Sequence, residues 1–150
     1  MSRRPCPSNS PGDHGSASLE FLVAGVLLFV PVMVGSLVLM TLQTASLATD
    51  AAARHAVRVF TQSTSLEIAT TRTTQAAATA LGQFGIDEDY SLQVQCVPQG
   101  QCLRPGSWVE VTVTTEVSLG RLPGLPTQSP LQVPIDATAA AQVSPYRGIP

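Results

Sequence analysis

The sequence predicts an α+β fold: a long N-terminal transmembrane helix, then a second helix and a small antiparallel sheet of about three strands. Three observations carry that expectation. Between Phe21 and Thr49 there is no ionisable side chain. From Leu66 to Phe84, apolar and small residues recur at helical spacing. Three later segments then alternate apolar and polar residues with period two, the mark of half-buried strands.

Composition bounds what the remainder can be. A chain of 150 residues holds one small domain and an appendage, since domains typically run to about 100–150 residues. It is 44% hydrophobic and only 12% charged, and the apolar excess is concentrated between Phe21 and Leu47. The balance of a membrane-anchored protein with a water-soluble remainder is therefore expected. Eight arginines and no lysine stand against ten acids, for a net charge of −2. No basic cluster is interleaved with aromatics, so no nucleic-acid footprint is present.

The apolar run exceeds the roughly 20 helical residues needed to cross hydrocarbon at about 1.5 Å each. A cleavable secretory signal has a shorter apolar core of about 7 to 15 residues, so the run reads as a retained span. Pro31 removes one backbone donor in mid-span, which membrane helices tolerate when neighbouring groups satisfy the freed carbonyl. Arg3 and Arg4 precede the run while Arg54 and Arg58 follow it, so the positive-inside count is tied and charge does not fix the orientation.

Helical character is expected to continue past the bilayer through "TASLATDAAARHAVRVF". There Asp50, Arg54 and Arg58 fall on one face at i, i+4, i+8, and Ala48, Ala52, Ala56 and Val59 on another. The alanine seam reads either as a small-residue helix contact or as plain helix propensity. His55 reads as a surface histidine of this helix. A capping box at Thr64 and Glu67 is expected to start the second helix. Its weak stripe of Leu66, Ala69, Thr73, Ala76, Ala77, Ala80, Leu81 and Phe84 must lean on another element, with Gly82 and Gly85 as stop signals.

That element is the sheet. In "GSWVEVTVTTEVSLG", Val109, Val111, Val113, Val117 and Leu119 share one face, while Trp108, Glu110, Thr112, Thr114 and Glu116 share the other. "YSLQVQC" alternates through Leu92, Val94 and Cys96, and "LQVPIDATAAAQV" from Leu131 through Val133, Ile135, Ala137, Ala139 and Ala141 to Val143. Pro134 points to an edge position for the last strand. Cys96 and Cys102 flank a Pro/Gly-containing turn, where a disulfide suits an exported small domain and reduced buried cysteines are the alternative. "GRLPGLPTQSP" reads as a connecting loop or an exposed surface for partners.

Chemistry-bearing motifs are missing. Asp87, Glu88 and Asp89 form the one charge cluster, but without an EF-hand pattern. No phosphate-cradling glycine loop, zinc-protease motif or nucleophile elbow occurs, and His55 is the sole histidine outside the N-terminal leader. The sequence therefore reads as a non-enzyme with no cofactor and no metal site.

Glu20 is the residue that asks for a reason, because it sits at the mouth of the apolar run. A carboxylate at a helix centre costs on the order of 2.5–3.5 kcal/mol on insertion scales, and less near an end. One reading is simple snorkelling, in an uncleaved single-pass anchor whose outer domain binds a partner. The string Gly15, Ser16, Ala17, Ser18, Leu19, Glu20, Phe21 supplies another. A polar leader ending in glycine, a glutamate fifth after it and an apolar helix beyond together resemble the type IV prepilin signal. Beyond the signal, the alanine-rich "AARHAVRVF" segment and a small outer domain ending near "YRG" resemble the TadE-like family of pilus assembly proteins.

This resemblance implies a minor pilin or pseudopilin of tight-adherence (Flp-type) pili. A prepilin peptidase would cut between Gly15 and Ser16 on the cytoplasmic side. That would divide the chain into a leader (1–15), a membrane and assembly helix (16–62) and an extracytoplasmic α+β domain (63–150), with the N-terminus inside. Glu20 would neutralise the new N-terminus of a neighbouring subunit, followed by Phe21 as part of the recognition string. The implied partners are the peptidase, other pilin or pseudopilin subunits, the assembly machinery and the membrane. The leader departs from the common form in being Pro-rich, with both its arginines distant from Gly15.

Overall fold

The computed structural model describes residues 16–86, 90–119 and 131–146. They form α1 (Ser16–Gln62), α2 (Leu66–Gly82), β1 (Tyr90–Val97), β2 (Trp108–Ser118) and β3 (Gln132–Gln142). This is the α+β arrangement expected from the sequence. The leader with Cys6 and Gly15, the acidic triplet Asp87, Glu88 and Asp89, and the whole of the "GRLPGLPTQSP" loop lie outside the described residues.

The chain divides into two compact units, Met1–Val38 and Leu39–Pro150. The division falls inside α1, so the C-terminal part of that helix belongs to the unit that holds α2 and the sheet. In the first unit the described residues are all helical, and Pro31 lies within the helix. Every one of them from Ser18 to Met33 is exposed.

In the second unit two helices cover one face of a three-stranded antiparallel meander, ordered β1-β2-β3. Register sets Val94 opposite Val111 and Cys96 opposite Val109, and Val111 opposite Ala139. The valines alternate because successive strand side chains point to opposite faces. Val109, Val111, Val113 and Val117 are accordingly buried, while Trp108, Glu110 and Glu116 are exposed. Pro134 is placed as expected, on the edge strand β3 opposite Glu116.

Against this face α1 presents Ala48, Ala52, Ala53, Ala56, Val57 and Phe60, and α2 presents Ala69, Ala77 and Leu81, in one core cluster. The alanine seam is thus filled by the chain's own core. Small side chains there shorten the distance to the valine layer, which is how a core with a single large aromatic still closes. Leu66 and Phe84, expected on the buried stripe of α2, are instead 54% and 45% exposed, because Leu66 is the first residue of the helix and Phe84 lies two residues beyond its end.

The start of α2 corrects the Thr64–Glu67 capping box. Ser65 is the N-cap, in extended conformation, and its hydroxyl accepts the Ile68 N–H at 3.4 Å. The reason lies in how α1 ends. Ser63 N–H donates to the Phe60 carbonyl and the Ser63 hydroxyl to the Val59 carbonyl, so the reversal uses Ser63 and Thr64. The cap moves one residue on, where the third helical residue is Ile68 and no reciprocal carboxylate bond forms. Glu67 remains in the first turn, where the helix dipole favours an acid. At the other end Gly85, with φ of 74°, allows Gly85 N–H to reach Gly82 O and Ile86 N–H to reach Leu81 O, a Schellman closure that needs the left-handed conformation glycine adopts freely.

Candidate functional site

The residues singled out by the prepilin-like string sit at the start of α1. Ser16 is the first residue of the helix, and Gly15 lies outside the described residues. Glu20 comes one turn later, exposed, with no hydrogen bond or ion pair among the described residues. Phe21 beside it is 81% exposed. The run has its apolar groups outward on every side: Leu22, Val23, Val26, Leu27, Leu28, Phe29, Val30, Val32 and Met33 are all exposed. A helix apolar all round requires a nonpolar environment, either lipid or other helices. Residues Ser18–Gln62 contain a stretch long and apolar enough to span a membrane.

The polar residues of this helix are handled in a manner consistent with that environment. Ser36 Oγ donates to the Val32 carbonyl at 2.8 Å, and Thr44 Oγ1 to the Met40 carbonyl at 2.9 Å. Each hydroxyl proton is thereby satisfied within the helix, where an unmet donor in hydrocarbon is costly. Glu20 has no such internal partner among the described residues. Its carboxylate is therefore the one ionisable group on the apolar run whose charge calls for water, a headgroup or another chain.

Charge returns at Asp50. Its carboxylate accepts from Arg54 Nε at 2.9 Å, an i,i+4 pair that is largely exposed. Such a pair contributes about 0.3–0.5 kcal/mol, so it marks a solvated helix face more than it holds the fold.

In the second unit, Cys96 on β1 and Cys102 in the following turn form a disulfide, with sulfurs 2.07 Å and Cα atoms 5.0 Å apart. The turn carries further bonds. Ser107 Oγ lies 2.7 Å from the Arg104 carbonyl, and Val143 and Ser107 exchange backbone contacts with this segment through Gly106 N–H to Val143 O and Val143 N–H to Ser107 O. The disulfide thus joins one end of the sheet to a turn that β3 also grips.

One pair of polar residues went unread in the sequence. Thr49 on α1 and Thr115 on β2 are both fully buried, and their hydroxyl oxygens are 2.9 Å apart. Each hydroxyl also reaches a backbone carbonyl, Thr49 Oγ1 that of Ala45 at 2.8 Å and Thr115 Oγ1 that of Ile135 at 3.4 Å, so either threonine can donate to the other. The signal was present: Thr115 holds the place in the inward alternation where another valine would stand.

Among the described residues no group of three His, Cys, Asp or Glu side chains converges on a metal position. Comparison with protein-family models, with curated proteins and with solved structures finds no match for this chain.

Proposed function

We propose that this protein is a TadE-like minor pilin or pseudopilin of tight-adherence (Flp-type) pili, cut between Gly15 and Ser16 by a prepilin peptidase and assembling through its N-terminal helix. The observation that carries the reading is the position of Glu20. It is the fifth residue after Gly15, exposed and without a partner among the described residues, at the start of a helix that is apolar on all sides. Pairing this carboxylate with the ammonium of another subunit's Ser16 relieves two desolvation costs at once. In this reading the leader lies in the cytoplasm, the α+β domain outside, and the apolar helix moves from the bilayer into a fibre, base or tip complex.

Two substitutions separate cutting from assembly. Gly15→Leu is expected to block removal of the leader, read by intact mass. Glu20→Ala is expected to leave the cut in place while lowering pilus assembly strongly, read by shear-released pili. An anchor whose Glu20 only snorkels would show no change in either measurement, and unchanged piliation in the Glu20 variant would refute the pairing.

A further inference from the structure

The two helices of the second unit border an open polar cleft. Its walls are two helical stripes, with Gln62 and Ser63 lining it where α1 ends. His55 lies one turn before Val59 on α1, while Arg72, Gln75, Ala76 and Thr79 follow at i, i+3, i+4 and i+7 on α2. The cleft holds about 410 Å³, enough for a small organic ligand or the end of a peptide. Ala76 is buried and Val59 half-buried, whereas His55, Arg72, Gln75 and Thr79 are exposed.

The chemistry of the walls is one-sided. None of the lining residues is an acid. Arg72 makes no hydrogen bond or ion pair among the described residues, although Asp50 and Arg54 on α1 pair with each other and Glu67 begins the same helix as Arg72. Thr79 donates its hydroxyl proton to the Gln75 carbonyl at 2.8 Å, so toward the cleft its oxygen acts as an acceptor. The guanidinium is a planar five-donor fork suited to a carboxylate. Gln75 adds an amide donor one turn away on the same face, and His55 a ring nitrogen from the opposite wall.

We propose that this cleft binds an organic carboxylate, held by Arg72 and Gln75 against His55, with Thr79 accepting from a hydroxyl or amide of the same ligand. A monoanion is the match because the walls supply one permanent positive charge. A phosphate dianion would keep one charge uncompensated. The carboxylate comes either from a free small molecule, such as a sugar acid, or from the end of a protein segment. The proposal does not depend on the pilin reading, since no residue of the leader or of the apolar run enters it.

The test uses the full chain in detergent micelles, followed by NMR of the His55 ring, with His14→Gln to assign the two histidines. Sodium glucuronate represents the free source. A short peptide with a free C-terminal carboxylate, paired with its C-terminal amide, represents the protein source, and inorganic phosphate is the comparator. Saturable shifts are expected with Kd on the order of millimolar or tighter for one carboxylate source. Arg72→Gln should weaken that binding about ten-fold or more, Arg72→Lys should weaken it less, and Arg104→Gln on the sheet side should not change it. Binding of the acid peptide but not its amide identifies a protein segment; binding of glucuronate alone identifies a small molecule. The proposal is overturned by shifts that do not saturate with either source, by wild-type affinity in both Arg72 variants, or by tighter binding of phosphate than of carboxylate.

Discussion

Thr49 and Thr115 show what a single residue decides in this fold. Their hydroxyls link helix to sheet beside a largely apolar core, where a hydrogen bond contributes about 0.5–1.5 kcal/mol net and an orphaned group costs about 1–3 kcal/mol. Thr49→Val leaves Thr115 with the Ile135 carbonyl at 3.4 Å as its remaining acceptor. Destabilisation of about 1–2 kcal/mol is expected, measurable by denaturant unfolding of the full chain in detergent. The double valine variant should cost less than the sum of the two single changes, because both partners then leave together. The same scale explains what could be read in advance. Glu20 was legible because a lone carboxylate beside an apolar run is chemically conspicuous. The inward face of Thr115 was legible from its place among the alternating valines, but its bond to Thr49 was not, because the two hydroxyls meet only when α1 packs on β2.

At the scale of elements, periodicity carried most of the information. Alternating valines placed β2 and its faces, and Pro134 placed β3 on an edge, because these signals follow from strand geometry alone. The start of α2 did not follow, because Ser63, Thr64 and Ser65 all suit a cap and the end of α1 chooses among them. Ser65→Ala should destabilise by about 0.5–2 kcal/mol, whereas Thr64→Ala should change stability by less than about 0.5 kcal/mol; paired denaturation curves check the ranking. The cysteine pair closes a short loop, with a sequence separation of 6. Replacing both by serine is expected to cost about 2 kcal/mol through the entropy of the unfolded chain, read as a lower denaturant midpoint. The cleft between α1 and α2 was beyond sequence reading, because His55 and Arg72 come to line one cleft only through the packing of two separate helices.

For the whole molecule, one chain joins two environments with opposite demands. The second unit buries its valines and alanines behind a polar outer sheet face. The first exposes apolar side chains on every side of its helix, with Glu20 at the start. A small domain with few large core residues has little stability to spare, and Phe60→Ala, removing the largest fully buried side chain, is expected to cost about 3–5 kcal/mol and to lower the amount of folded protein extracted from membranes. The apolar run and the glutamate were both legible in sequence, since composition and spacing alone define them. Processing is what connects them to function. Intact mass and N-terminal sequencing of the membrane-extracted protein, expressed with and without a matching prepilin peptidase, test that connection most directly. A chain beginning at Ser16 only when the peptidase is present is the expected result. A chain that keeps residues 1–15 in both cases, or is cut beyond the apolar run, would contradict the account.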